Sequence, residues 1–516
     1  MRMTRFVLAA VLAVPMALSA QEPVDQAAIG RIRAEAFERS QIMDIASWLT
    51  DVYGPRLTNS PITTAAADWT LQQLTSWGLS NPRTETWGPF GRGWTNERTA
   101  IQVTAPATFP VIGYPSAWTP GTNGRVSGAV VMVRADSAAD LVKYRGQLRG
   151  AIVMTETPRP VPAWFTAPGS RLSDEQLEKM AAAAPTPPGG GGPGGPPANL
   201  AEIRQRFQAQ QAFATERTNF LVGEGVVAIL QQARGDGGTV FVSGSGGSRD
   251  AANPARLPIV AIAVEHYGRI ARILGKGVPV TMDLEVQNSF HDASPNSFNI
   301  LADIPGTDKG DEVVMLGAHF DSWHGGTGAT DNAAGSAVML EAVRILKALN
   351  LPMRRTVRIG LWTGEEQGLL GSRAYVRGQF GTRDSATAAN GKVSGYFNVD
   401  NGTGAIRGVY LQGNAGVGPI FQAWMQPFAD KGMKTLTLSN TGGTDHLAFD
   451  AVGIPGFQFI QDAVEYSTRT HHSSQDTWER LQADDMKLNA AVVAAFVYLT
   501  ANRAELLPRK PVTLTP

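Results

Sequence analysis

The second half of this chain carries imidazole and carboxylate groups at positions a metal ion could use. The first group is His319-Phe320-Asp321, followed across a glycine-rich stretch, Gly325-Gly326-Thr327-Gly328, by Asp331-Asn332. Then come Glu365-Glu366, Asp400 and, near the end, His471-His472-Ser473-Ser474-Gln475-Asp476. The sequence has no cysteine, so a metal site must be built from histidine and carboxylates. Taken singly, each group has a plainer role. A His or Asp after a strand is commonly a loop residue or helix cap, and Glu365-Glu366 is a favourable charge at a helix N-terminus. The glycine-rich stretch lacks the Gly-Lys-Ser/Thr ending of a phosphate loop, which excludes that chemistry. Single-residue explanations do not account for the placement of these groups on successive elements.

The elements that must position them are legible from residue 312 onward. Segment 312–318 reads as a buried strand and runs into His319; 356–363 runs into Gly364-Glu365-Glu366; 393–399 runs into Asp400. Three consecutive strands therefore deliver metal-capable side chains to one sheet edge, where open α/β sheets form their sites. Helices are expected at 335–349, 369–378, 418–431 and from about 484 to 505, with further strands at 408–411 and 456–459. The fold class is thus α/β, a mixed, mostly parallel sheet with helices on both faces. Upstream, 26–98 reads as mainly helical, with 42–49 and 65–77 at helical spacing around a turn at Gly54-Pro55-Arg56-Leu57 and Asn59-Ser60-Pro61. Residues 107–282 form a β-rich insert with short runs at 130–133, 151–155, 226–230, 239–242 and 258–264. Inside it, 181–197 is alanine, then proline and glycine, and reads as a disordered surface loop.

Bulk properties narrow the partners. A length of 516 residues implies more than one domain. With 45 basic and 45 acidic residues and no long run of one sign, neither nucleic acid nor an anionic membrane surface is the expected partner. At the start, Arg2 and Arg5 precede an apolar run, 6–18, that ends in Ser19 and Ala20, the order of a secretory signal peptide cleaved after Ser19 or Ala20. The run is shorter than the ~20 residues that cross a bilayer, so the expectation is export without stable membrane insertion. The expected organisation is a signal peptide at 1–20, a first catalytic part at 21–106, the insert at 107–282 and the main catalytic part at 283–516.

In combination, Gly317-Ala318-His319-Phe320-Asp321-Ser322-Trp323, Asp331-Asn332, Trp362-Thr363-Gly364-Glu365-Glu366-Gln367-Gly368, Asp400 and His472-Ser473-Ser474-Gln475-Asp476 resemble the two-zinc aminopeptidase and glutamate carboxypeptidase family. Gly54-Pro55-Arg56-Leu57, Leu257-Pro258-Ile259-Val260 with Val264-Glu265, and Glu505-Leu506-Leu507-Pro508-Arg509 are similar to a carboxypeptidase branch of it, so the likeness covers nearly the whole mature chain. The resemblance implies a zinc aminopeptidase-like fold with a protease-associated insert, two zinc ions per chain, and hydrolysis of dipeptides or short peptides; related enzymes suggest a homodimer. It implies that Asp331 bridges both metals, that His319 and Asp400 complete one site, and that Glu366 and His472 complete the other. Glu365 would be the general base, Asp321 would orient the ring of His319, and the Asp331-Asn332 peptide bond would be cis. The family spacing to a following acid, Asp476, selects His472 over His471, which would line the pocket.

Two such ions about 3.5–4 Å apart can clamp both attacking and leaving oxygens, and a free carboxylate moving the proton contributes ~10²–10⁴-fold. Adjacent Glu365 and Glu366 can divide that work, one on water and one on metal. Stretches 440–443 and 466–469 are candidate substrate contacts, and His446 in Gly442-Gly443-Thr444-Asp445-His446 would contact substrate or support its loop. His266, His291 and His324 are not expected as ligands. The competing readings are a non-catalytic binding protein on the same scaffold and acyl transfer of the glutaminyl-cyclase kind.

Overall fold

Side-chain alternation along the strand Lys309–His319 defines the main layer. Val314, Leu316 and Ala318 enter one core with residues of the helices Ala334–Ala348 and Ala483–Asn502, while Met315 enters a second core with Tyr375, Val376 and Phe449. A strand apolar on both faces must be covered on both, and helices lie on each side. The structure, a computed structural model, describes residues 22–185 and 200–510. The expected signal peptide and most of the Pro/Gly-rich loop lie outside the described residues; Ala181 and Ala182 of that stretch close a helix, Asp174–Ala182. Among the described residues no helix is long and apolar enough to cross a membrane.

The first sheet has the order Ser80–Trp87, Ser297–Ile304, Arg355–Trp362, Lys309–His319, Val393–Asn398, Gly456–Gln461, Ile406–Tyr410, Thr435–Thr437. Four of its seven pairings are parallel, including the three that join the central strands, and three are antiparallel. The mixed α/β architecture with helices on both faces is the one expected. Register brings His319 opposite Trp362, and Gly317 opposite Asn398, so the ends of three parallel strands are aligned. The expected helix 418–431 is an α-helix only over Gly418–Met425 and tightens to a 3-10 helix over Gln426–Lys431, where Pro427 has no N–H to continue the ladder.

A second sheet runs Phe109–Pro110, Gly93–Ala105, Thr281–His291, Val126–Met132, Ile152–Met154, Ala228–Gln232, Ile259–Ile262, Gly113–Pro115. Its long pair Gly93–Ala105 and Thr281–His291 is antiparallel from Gly93↔His291 to Ala105↔Thr281. Limits at 107 and 282 therefore fall within this sheet, because two paired strands enter and leave it together. The stretch 26–98, read as mainly helical, holds helices through Ser76 and then turns to strand at Ser80–Trp87 and the start of Gly93–Ala105. The region read as β-rich also holds the helices Leu200–Glu224 and Val264–Leu274. Segment 239–242 forms no regular strand; Phe241 makes a single antiparallel bridge to Ser473.

Candidate metal centre

Each candidate ligand leaves a strand end or a turn held by local constraints. His319 closes the strand Lys309–His319, and its carbonyl accepts a hydrogen bond from Ser336 Oγ at 2.8 Å. The following loop returns through Gly328, whose φ of 66° is left-handed; a Cβ there would sit 2.3 Å from that of Ser322, so only glycine fits. Asp331 and Asn332 follow, joined by a cis peptide bond. Asn332 donates to the carbonyl of Val399 at 2.9 Å and accepts from the N–H of Gly335 at 2.8 Å, tying Asp331 to the strand end that precedes Asp400. Glu365 and Glu366 follow the strand Arg355–Trp362 through Gly364, also left-handed with φ 73°. His472 lies in a loop with φ 60°.

These side chains converge on Asp331. His319 Nε2 is 3.2 Å from Asp331 Oδ1 and 3.2 Å from Asp400 Oδ1. On the other side, His472 Nε2 is 3.2 Å from Asp331 Oδ2 and 2.8 Å from Glu366 Oε2. One carboxylate thus faces two imidazoles through its two oxygens, and each imidazole faces a second carboxylate. His471 stands further off, its Nε2 3.7 Å from Asp331 Oδ2 and its ring centre 3.8 Å from that of His472. The ring of His319 is fixed from behind by the main-chain oxygen of Asp321, 2.9 Å from Nδ1. The Asp321 carboxylate, expected in that role, is 3.7 Å away because it accepts from Thr58 Oγ1 at 2.7 Å and from the N–H of Glu365 at 3.2 Å. The Nδ1 contact fixes the ring so that Nε2 is directed at the carboxylates.

The electrostatics show a site short of positive charge. Burial alone would lower the pKa of His319, but the carboxylates of Asp400 and Glu365 outweigh it and hold the ring well above its ordinary value. Burial is likewise overcome at His472, which Asp331 and Glu366 raise to about 10. Burial and the charge of Asp331 push Glu366 up to about 8. Glu365 rises well above the usual range, through burial first and then the negative charges of Asp400 and Asp445. Asp331 Oδ2 and Glu366 Oε1 are buried and accept no hydrogen bond. Such oxygens are costly to leave unmatched. A void of about 10 Å³ lined by Asp331, Glu366 and His472 adjoins them. Two imidazoles and three buried carboxylates, with Glu366 Oε1 accepting no hydrogen bond, are a donor set that fits zinc.

Support comes from residues not assigned a role from sequence. Arg56 is fully buried, and its guanidinium donates to the carbonyls of Phe320 at 2.8 Å, Gly328 at 2.9 Å, Thr327 at 3.2 Å and Leu49 at 2.5 Å. It joins the strand end bearing His319 to the loop leading to Asp331. Burial lowers its pKa to about 10, against the opposing charges of Asp476, Asp321 and Asp331, so it stays charged at neutral pH. The only signal in the sequence was its place in Gly54-Pro55-Arg56-Leu57. Asp476 accepts from the N–H groups of Thr330 at 2.6 Å and Asp331 at 3.1 Å, so it braces the central carboxylate. Asp445 is buried with neither oxygen hydrogen-bonded, and burial raises it to about 7.

The remaining histidines lie off the site. His446 is buried and its Nε2 is 3.2 Å from the carbonyl of Thr441, the loop-supporting alternative. His324 Nε2 meets the Pro115 carbonyl at 2.6 Å, His266 Nδ1 accepts from the N–H of Ile112 at 2.9 Å, and His291 Nε2 is 3.0 Å from Thr95 Oγ1.

With this geometry described, comparison with known proteins is informative. Residues 299–497, which contain every strand-end group above, match the model of Peptidase family M28. Carboxypeptidase Q of Mus musculus is 32% identical over 254 residues, covering 49% of this chain and 52% of the relative. Its Homo sapiens counterpart is 30% identical over 257 residues, with coverage of 49% and 52%. The chain therefore spans about half the length of the curated relatives it matches. A peptidase M28 precursor from Shewanella amazonensis SB2B shares the fold with a TM-score of 0.64 over 94% of this chain and 99% of that one, at 24% identity. A zinc aminopeptidase from Bacillus subtilis shares it at TM-score 0.54 and 17% identity, over 90% and 96% of the two chains.

Proposed function

We propose that this chain is a zinc-dependent metallo-exopeptidase that hydrolyses dipeptides or short peptides, with two zinc ions per chain. The observation that carries the reading is Asp331, whose two carboxylate oxygens each face a different imidazole at 3.2 Å. In this reading His319 and Asp400 would hold one ion, Glu366 and His472 would hold the other, and Asp331 would serve both. Zinc in such a set lowers the pKa of water towards ~7 and polarises the substrate carbonyl. Glu365, buried beside the cluster, takes the proton of the attacking water and returns it to the leaving amine. Arg56 and Asp476 hold the Asp331 loop against the strand end that carries His319.

The family pattern over 299–497 and the names of the relatives, carboxypeptidase and aminopeptidase, support an exopeptidase reaction. The reading extends to an exported protein, with 1–20 as its leader, to a homodimer, and to the second-sheet region as a protease-associated element bordering the cleft. The test is turnover on a dipeptide panel with zinc, with chelator, and with Glu365→Gln. Glu365→Gln is expected to keep zinc and lose at least ~10²-fold in kcat. A near-wild-type rate would remove Glu365 from the reaction. Cyclisation of N-terminal glutamine in place of peptide cleavage would favour the acyl-transfer alternative.

A further inference from the structure

Arg234 is the second residue beyond the strand Ala228–Gln232 of the second sheet, and its guanidinium lies over an aromatic ring, with Cζ 4.3 Å from the centre of Phe241. The chain folds back this closely because residue 235 is glycine, with φ 99°; a Cβ there would sit 2.8 Å from Phe241 Cε2. Phe241 makes its antiparallel bridge with Ser473, the residue after His472. Its neighbours are bound to the same segment: Val240 donates to Ser474 Oγ at 3.1 Å and accepts from the Ser474 N–H at 2.8 Å, and Val242 donates to the His472 carbonyl at 3.0 Å. The ring that carries the guanidinium is therefore anchored to the segment that carries His471 and His472. The electrostatics register the same proximity. Burial first, and then the charges of His472 and Arg234, hold His471 below its ordinary value against the pull of Asp331 and Asp400.

What sets Arg234 apart is that its charge is uncommitted. It is exposed, and among the described residues no carboxylate lies within 4.0 Å of it. The acids of the neighbouring elements are engaged elsewhere. Asp236 accepts the indole N–H of Trp164 at 2.7 Å, Glu265 the N–H of Gly237 at 2.7 Å and Glu156 the N–H of Gln232 at 2.8 Å. Glu465 is shared between Arg469 at 3.4 Å and Arg480 at 3.2 Å. A second guanidinium without an acid partner, that of Arg159, donates to the carbonyls of Ala233 and Gly235 on either side of Arg234. This corner is cationic. The Phe241 ring occupies the face of the Arg234 guanidinium, which leaves in-plane N–H groups for a ligand, and such a fork matches a carboxylate through two parallel bonds.

Every short peptide, whatever its sequence, ends in a carboxylate. As that group nears Asp331, Glu365, Glu366 and Asp400 it meets like charge, and a fixed cation at the rim offsets the repulsion. We propose that Arg234 is a specificity-determining residue that binds the terminal carboxylate of a short peptide whose scissile bond lies at the metal centre. An extended peptide advances about 3.3–3.6 Å per residue, so length as well as charge decides which peptides reach it. The inference rests on the peptidase reading and deepens it by stating which end of the substrate is read.

The test compares kcat/KM for Ala-Ala, Ala-Ala-Ala, their C-terminal amides and the amide of Ala-Asp in the zinc-loaded wild type, Arg234→Gln and Arg234→Lys. For at least one length the free acid is expected to exceed its amide by at least about tenfold, the scale of a hydrogen bond to a charged group. Arg234→Gln is expected to remove that preference chiefly through KM, and Arg234→Lys, which keeps the charge without the fork, to retain part of it. The substituted side chain is exposed, and zinc content equal to wild type verifies that the variants are folded. Amides cleaved as fast as acids in the wild type, or a preference that survives Arg234→Gln, overturns the assignment while leaving the peptidase reading intact. A preference for the amide of Ala-Asp over that of Ala-Ala, with none for free acids, also overturns it and makes the corner one for an acidic side chain.

If no peptide is hydrolysed, the peptidase reading fails, and calorimetric binding of Ala-Ala-Ala and its amide to the same zinc-loaded proteins decides the carboxylate site by itself. Acid-selective binding that is lost in Arg234→Gln sustains the site; equal binding of acid and amide, or no binding, overturns it.

Discussion

Arg56 offers the sharpest perturbation of the scaffold behind the metal centre. Arg56→Met keeps a chain of similar length but removes every donor and the charge. The Gly328 carbonyl retains the N–H of Ala333 at 3.0 Å, whereas the carbonyls of Phe320 and Thr327 lose the guanidinium inside the protein. Each buried acceptor left unmatched costs about 1–3 kcal/mol. The cation that stood against Asp321, Asp331 and Asp476 is lost as well. Breaking a buried charge arrangement costs about 3–5 kcal/mol, which sets the expected total for Arg56→Met. Arg56→Lys keeps the charge but has three donors on one nitrogen and cannot span carbonyls from three segments, so about 1–3 kcal/mol is expected. The assay is urea unfolding of the zinc-loaded proteins followed by tryptophan fluorescence. A Met variant within about 0.5 kcal/mol of wild type would refute the idea that the guanidinium holds this corner together. Equal losses for Lys and Met would refute the part assigned to charge.

Three further outcomes are expected. Asp331→Ala is expected to lose both zinc ions together, whereas His319→Ala and His472→Ala each weaken one; metal analysis showing two ions in Asp331→Ala contradicts the bridge. Zinc uptake at pH 7 is expected to release protons, because His472 at about 10 and Glu366 at about 8 are protonated below those values and must give way to the metal. Zinc affinity should accordingly fall as pH drops from 8 to 6, and calorimetry in buffers of different ionisation enthalpy that finds no net release would count against it. Finally, chelator is expected to lower the unfolding temperature, since ligand at about 100-fold its Kd stabilises by about 2.7 kcal/mol; an unchanged transition would mean that the metals do not bind the folded state preferentially.

Part of the candidate site was legible because His319, Glu365-Glu366 and Asp400 follow strands that are apolar on both faces, whereas Asp331 and His472 lie on loops. Runs such as 312–318, 356–363 and 393–399 stand out, and the residue after each must emerge at the sheet edge. What was not legible depended on partners distant in the chain. Ser80–Trp87 is an edge strand with only Trp87 buried, so its residues show little of the alternation that marks a strand. Gly93–Ala105 is defined by its pairing with a strand nearly two hundred residues later. The helix Leu200–Glu224 follows the Pro/Gly-rich loop and is largely exposed where described, so packing imposes no strong apolar period on it. Arg56 and the main-chain oxygen of Asp321 were invisible for a different reason. A guanidinium that binds carbonyls, and a carbonyl that binds an imidazole, leave no mark in residue type.

The hydrogen bonds linking Val240 and Val242 to His472 and Ser474 tie the chain of the second-sheet region to the edge of the candidate metal site. A protein trimmed of the segment around Val240 and Val242 would leave the backbone around His472 without its neighbour. Shortening this architecture therefore calls for other donors and acceptors at that point, and grafting a different segment onto it calls for matching the same few main-chain groups.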